Sequence, residues 1–357
     1  LLLFCKKEGA SAFSYRPSKD THMRTLAFAA LLATTAANAA PNYTISKTIP
    51  LGAPDRWDYV SYDVASHRVF VAHMDHTDVI DGTTGAILGK LNGLHGAHGQ
   101  AVAADGTIWA DSGKTANVTA YDGKTFDALK TMPAQTDADG VIIDPAGKML
   151  VVLNGDGESA TLIDTAAKTV TANVKLGGSP EFAAADGAGH LYVNIASTSE
   201  IAVVDMAAGK VTARYKVAEC KSPHGLAMDA ATRRLFTTCV NTKMQVLDAD
   251  SGKILQTFPI GHGTDAAAFD PTRHLVYSSN GDGTLSVFHE SDAGVLTALG
   301  DVPTMKGART LAVNPGSGRV YLVAADLAAT QPPPEGGRVH WAYVPGSVKL
   351  IFLDPTK

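Results

Sequence analysis

Between Tyr59 and Leu353 one pattern recurs seven times. It consists of a β-like run ending in Asp or Asn, a turn, a second β run, a polar loop, a third run ending near Asp, and a Gly-Lys-type turn. The first runs end at Asp63, Asp105, Asp144, Asp186, Asp229, Asp270 and Asn314, so the anchors stand 42, 39, 42, 43, 41 and 44 residues apart. Second runs such as His190-Leu191-Tyr192-Val193-Asn194 and Arg319-Val320-Tyr321-Leu322-Val323 place β-branched and aromatic residues between turn residues, the signal of strands and hairpins. The apolar period is two, which excludes a helical repeat. A period of about forty with four strands per unit predicts an all-β chain, a seven-bladed β-propeller with four-stranded antiparallel blades. The 34 glycines against 11 phenylalanines suit many tight turns and thin packing layers.

The last unit reaches its third run at Val348–Leu353, with four residues after it. The strand that completes it is expected at Tyr43-Thr44-Ile45-Ser46-Lys47-Thr48-Ile49, which alternates correctly. Closing the ring this way would leave no bare sheet edge.

Three segments are expected. Met23-Arg24 followed by an apolar run from Leu26 to Ala33 and the small-residue site Ala37-Asn38-Ala39 reads as a secretory signal peptide over 23–39. Residues 1–22 read as a non-native leader or an upstream mis-assigned start, and 40–357 as one propeller. The apolar run falls short of the roughly 20 residues that span a bilayer, so no membrane span is expected. The chain carries 30 Lys and Arg against 35 Asp and Glu; five of the basic and two of the acidic residues lie in 1–39, leaving the remainder at net −8. An acidic surface without a basic run disfavours nucleic acid as a partner. Cys220 and Cys239 fit no metal or redox motif and, in an oxidising compartment, are expected to pair as a disulfide. The expected product is periplasmic or secreted, and monomeric.

The runs Val69-Phe70-Val71-Ala72-His73, Pro180-Glu181-Phe182, Leu191-Tyr192-Val193-Asn194, Ser278-Ser279-Asn280-Gly281-Asp282-Gly283-Thr284 and Gly307-Ala308-Arg309-Thr310 resemble the YncE-like, YVTN-repeat family of β-propellers. The resemblance covers roughly 43–354. It implies the fold and export, and binding or surface roles rather than one enzyme class.

In a propeller, the loop leading into each inner strand and the loop joining the second and third strands emerge on one face. Five residues before each anchor stand Asp58, Gln100, Asp139, Glu181, His224, Asp265 and Arg309, a mostly ionisable set expected around the channel mouth together with His98. Binding groups gather on such loops, although solvated carboxylates cost little there. His73, His76, His95, His98, His224 and His262 are expected on the same face, where imidazole beside carboxylate suits a divalent metal or proton transfer. No other cofactor is indicated. Between Ala325 and Gly346 a long insertion carries Arg338, Trp341 and Tyr343, either an idle excursion or a lid. The Asn154-Gly155-Asp156-Gly157 and Asn280-Gly281-Asp282-Gly283 loops lack the terminal glutamate of a calcium loop and read as turns. There is no Gly-x-Ser-x-Gly elbow, phosphate loop or His-Glu-x-x-His motif.

Three functions stay open. The first is a binding propeller that takes a small polar ligand, metal or protein partner on this face, with Arg309 as cationic anchor. The second is a lactonase- or lyase-type enzyme in which His224 or His98 moves a proton, Asp139, Glu181 or Asp265 orients it, and Arg309 holds a carboxylate. The third is a cell-envelope interaction scaffold.

Overall fold

The structure, a computed structural model, describes residues 42–328 and 342–356. The expected leader and signal peptide, and Arg338 and Trp341 of the insertion, lie outside the described residues. Seven antiparallel sheets follow one another along the chain, one per repeat. Blade four shows the plan, with strands Pro180–Ala185, His190–Ile195, Glu200–Asp205 and Lys210–Lys216 running from the inside outwards. Blade one has the same course, but its second and third strands form one uninterrupted run, Arg68–Asp81. The chain reverses within that run. His73 Nδ1 lies 2.9 Å from Asp78 Oδ2, whereas five extended residues would span about 17 Å, and Met74 carries the positive φ of 60°.

Asp recurs because it closes the turns. At the end of inner strands Asp270 accepts from the backbone N–H of Thr272 at 2.8 Å, and Asp144 from those of Lys148 and Met149 at 2.7 and 2.6 Å. At the end of third strands Asp81, Asp164, Asp205 and Asp248 each accept from an N–H three residues on. These side chains satisfy amides that the strands no longer pair.

The apolar core lies between blades. The described residues form seven buried clusters, and each bridges two neighbouring sheets; Leu153 and Leu162 of blade three, for instance, pack with Leu191 and Val204 of blade four. Each fully buried aliphatic side chain contributes about 1.5–3 kcal/mol, so stability is spread around the ring. The ring closes as expected: Tyr43–Pro50 pairs antiparallel with Lys349–Pro355, from Tyr43↔Pro355 to Pro50↔Lys349 with one bulge between Ile45 and Lys47, and the Tyr43 and Tyr277 hydroxyls meet at 2.8 Å.

Cys220 and Cys239 form a disulfide with Cα atoms 5.5 Å apart. It ties the approach to blade five to the end of that blade's second strand, where Pro223 pairs with Cys239. A loop of this length stabilises by about 3 kcal/mol. The Cys220→Ser/Cys239→Ser protein is therefore expected to melt roughly 5 °C lower, and a calorimetric scan that finds no shift would show the bond contributes nothing. Among the described residues no helix is long and apolar enough to cross a membrane.

Candidate site at the channel mouth

Four inner strands carry a β-bulge near their first residue. Pairing jumps from Ala138 to Gly140, from Pro180 to Ala183, from Pro223 to Leu226 and from Thr264 to Ala266. The residues left out of register include Asp139, Glu181, His224 and Asp265. A bulge leaves its extra residue unpaired and re-aims its side chain, which is how these four turn into the mouth. In blades one, two and seven the inner strand starts later, and Asp58, His98 and Arg309 stand two residues before it.

Buried polar groups of the second strands set the loops. Asp111 accepts from the N–H groups of His98 and Gly99 at 2.7 and 3.0 Å, Asn194 donates to the carbonyls of His224 and Gly225, and Ser279 donates to that of Arg309. Thr310 donates to the Asp58 carbonyl at 3.0 Å. Sequence reasoning missed these supports; their signal was a polar residue ending an otherwise apolar strand.

One charged side chain comes from each blade: Asp58, His98, Asp139, Glu181, His224, Asp265 and Arg309. Gln100 does not join the charged ring. Its amide is buried and donates to Ser61 Oγ at 3.0 Å and to the Tyr59 and Phe70 carbonyls at 3.3 Å; His98 takes blade two's place. The offset failed because the blade-two strand ends at Val102, leaving Asp105 in the following turn.

The ring is built of two similar clasps. His98 Nδ1–H is shared between Asp58 Oδ2 at 2.8 Å and Asp139 Oδ1 at 2.9 Å. His224 Nδ1–H donates to Asp265 Oδ1 at 2.8 Å, with Glu181 Oε2 at 3.8 Å, and Arg309 Nε forms an ion pair with Asp265 Oδ2 at 3.0 Å. Burial disfavours the charge on His98, but its bonds to Asp139 and Asp58 outweigh that and push the imidazolium up to about 11. His224 is raised in the same way by Asp265 and Glu181. Burial also works against Asp265, but His224 and Arg309 prevail and hold its carboxyl below the usual range. Glu181 has no such help: burial, with repulsion from Asp265, Asp139 and Asp58, raises it to about 7 against the pull of His224.

Below the ring two aromatic side chains cross the channel. Tyr59 and Phe182, each one residue past a ring member, meet edge to face at 5.2 Å across it. Burial pushes the Tyr59 hydroxyl well above the ordinary phenol range, and Asp265, Asp58, Glu181 and Asp139 push it further. A cavity of about 60 Å³ lies here, lined by Tyr59, Gln100, Glu181 and Phe182. A larger cavity, about 710 Å³, is at the other end of the inner strands, between the turns of blades one to three, with Asp63, Arg68, Asp105, Asp122, Lys124 and Asp144 in its lining. At the mouth's edge Tyr343 stacks edge to face on Trp57 at 5.0 Å.

No family model matches the chain, and no curated protein matches it in sequence. Among solved structures it is similar to the Kuenenia stuttgartiensis hydrazine synthase, with a TM-score of 0.65 and 14% identity over 74% of this chain and 91% of that one. The likeness shows the fold alone. This chain is a seven-bladed β-propeller.

The six histidines do not converge as expected. His98 and His224 sit in the ring, where Asp58/His98/Asp139 and Glu181/His224/Asp265 each bring three donor atoms within 4.8 Å. His73 and His76 form a separate buried group with Asp78 in blade one. His95 and His262 are exposed and belong to none of these groups among the described residues.

Proposed function

We propose that the protein is an exported binding propeller whose channel mouth takes a small polar ligand bearing both a cationic and an anionic group. The observation that carries this reading is the imbalance within the ring. Asp58, Asp139 and Asp265 bond to imidazolium or guanidinium groups, whereas Glu181 has its cationic neighbour 3.8 Å away, beyond hydrogen-bond distance. Arg309 spends its Nε on Asp265 and leaves its side chain 51% exposed. A ligand ammonium would meet Glu181, and a ligand carboxylate the free end of Arg309. The aromatic pair across the channel suits a short molecule held in a cup rather than one passing through. The disulfide supports an oxidising compartment, and Tyr343 beside Trp57 supports an aromatic wall over the mouth.

The same chemistry weighs against the enzymatic alternative as first framed. His98 is held protonated near neutral pH, and Asp265 and Glu181 shift His224 in the same direction, which disfavours both as bases; a proton-transfer role would fall to Glu181, whose value near 7 suits it.

The test is calorimetric titration with a series of short ω-amino acids, against alkylammonium and alkylcarboxylate controls of the same length. Bonds to charged groups contribute about 1.5–3 kcal/mol, so Glu181→Gln and Arg309→Ala are each expected to weaken the zwitterion by roughly 10- to 100-fold. Wild-type affinity should rise about tenfold from pH 6 to pH 8 as Glu181 ionises around pH 7, and Glu181→Gln should abolish that rise. Equal affinity in wild type and both variants would refute the site.

A further inference from the structure

The buried group in blade one lies outside the ring. It stands beside the mouth, because Asp58 N–H bonds to the carbonyl of Ala72, next to His73. His73 is 0% and Asp78 1% exposed. His73 Nε2–H donates to the Pro54 carbonyl, and His76 Nδ1–H donates to Asp75 Oδ1 at 2.6 Å. Each imidazole thus has one nitrogen committed to an acceptor behind it. The other nitrogens, His73 Nδ1 and His76 Nε2, face the same carboxylate, at 2.9 Å from Asp78 Oδ2 and 3.3 Å from Asp78 Oδ1. The two rings are 4.9 Å apart.

Neutral imidazoles bonded in this way would point two lone pairs at a carboxylate. That arrangement is repulsive unless positive charge lies between the three groups. Positive charge is in fact drawn there, because Lys90 Nζ donates to His76 Nε2 at 3.0 Å and stands 3.7 Å from Asp78 Oδ1. The Lys90 side chain is 42% exposed and can leave toward solvent.

We propose that His73 Nδ1, His76 Nε2 and the Asp78 carboxylate form a binding site for a divalent first-row transition ion of the zinc or cobalt type, and that the Lys90 ammonium fills the cation's place when no metal is bound. Three features carry this assignment. Two imidazoles and one carboxylate are the donors such ions take, and three protein donors leave a position for water. The donor separations of 2.9 and 3.3 Å are close to the roughly 3.0–3.5 Å that donors about 2.1 Å from a shared ion keep between them. The outer bonds to Pro54 and Asp75 are the carbonyl and carboxylate supports that fix a ligating histidine's tautomer and ring orientation. The ring lacks this economy: its His98 shares the same nitrogen, with its proton, between two carboxylates, and Arg309 already neutralises Asp265.

The experiment titrates chelator-treated, untagged protein with Co²⁺, following visible absorption for ligand geometry and calorimetry for stoichiometry, and repeats the calorimetry with Zn²⁺. One ion per chain is expected. His76→Gln should weaken binding at least 100-fold, and Asp75→Ala, which removes only the outer support, roughly 10- to 100-fold. Lys90→Met, at a half-exposed position that leaves the fold intact, should tighten binding about tenfold by removing the competing ammonium. Binding that survives His76→Gln but disappears in His98→Asn/His224→Asn would place the ion in the ring and overturn the proposal. So would the absence of binding in both wild type and Lys90→Met.

Discussion

Deleting Asn42–Pro50 is expected to abolish cooperative folding of the propeller. This strand is the outermost of blade seven, yet it precedes every other strand of the ring in sequence. Without it, Lys349–Pro355 becomes an exposed edge along the seven registered positions it now shares with Tyr43–Pro50. The Leu350, Ile351, Phe352 and Leu353 side chains, 0–1% exposed in the closed ring, would lose their cover on that side. The change is not confined to one blade: Ile49 packs into the cluster between blades seven and one, and Tyr43 into the cluster between blades six and seven. Net stabilities are about 5–15 kcal/mol, so losing two interface anchors and a strand ladder exceeds the reserve. Urea unfolding followed by tryptophan fluorescence should show one sharp transition for the full chain and none for the deletion protein. Ile49→Ala gives a graded control, expected to cost about 2–4 kcal/mol. A deletion protein within 1 kcal/mol of the full chain would mean that the ring does not depend on this closure.

The second prediction concerns the two carboxylates on either side of His224, whose removal should act in opposite directions. Asp265 is held below its ordinary value by His224 and Arg309. A depressed acid stabilises the fold above its unfolded-state value and loses that contribution as pH falls through its folded-state value. Asp265→Asn should therefore destabilise at pH 8, by about 3 kcal/mol for a broken buried pair, with the difference vanishing in acid. Glu181 is raised, by burial first, to about 7. Here the folded state favours the proton, so ionisation costs stability as pH rises from about 4.5 through 7. Glu181→Gln should match wild type below pH 4.5 and melt higher at pH 8, by roughly 5 °C. Melting curves of the two variants from pH 2 to pH 8 check both signs. Parallel curves for Glu181→Gln and wild type would show that the carboxylate is not stranded, and the ligand assignment would lose its footing.

Much of the ring was legible because its members recur at the repeat's own period. Asp58, Asp139, Glu181, His224, Asp265 and Arg309 were found by counting back from the turn aspartates, and the closing strand by asking where the missing seventh edge could come from. Blade two broke the count. Its inner strand ends early, and the better register mark was the His-Gly pair shared by His98-Gly99 and His224-Gly225. At both glycines a Cβ would lie 2.4–2.5 Å from the backbone N of the next blade, at Val141 and Ala267.

The blade-one group was half visible. His73 and His76 stood out as a pair, but Asp78, Asp75, Lys90 and the Pro54 carbonyl carry no pattern that points at them. They meet only because the chain reverses at Met74 and the third strand lies against Ile87–Ala97, placing Lys90 opposite Asp78.

The number of blades, the strand order, the closing strand and the face that bears the charges can be read along the chain. All of these follow from local periodicity and turn chemistry, which repeat every forty or so residues. Which charges touch is set by the folded ring. Bulges and short strands shift the side chains by one or two residues, and pairing across blades joins groups about forty positions apart. Whether a carboxylate is paired, as Asp265 is, or left short, as Glu181 is, depends on ångström-scale distances that no spacing along the chain records.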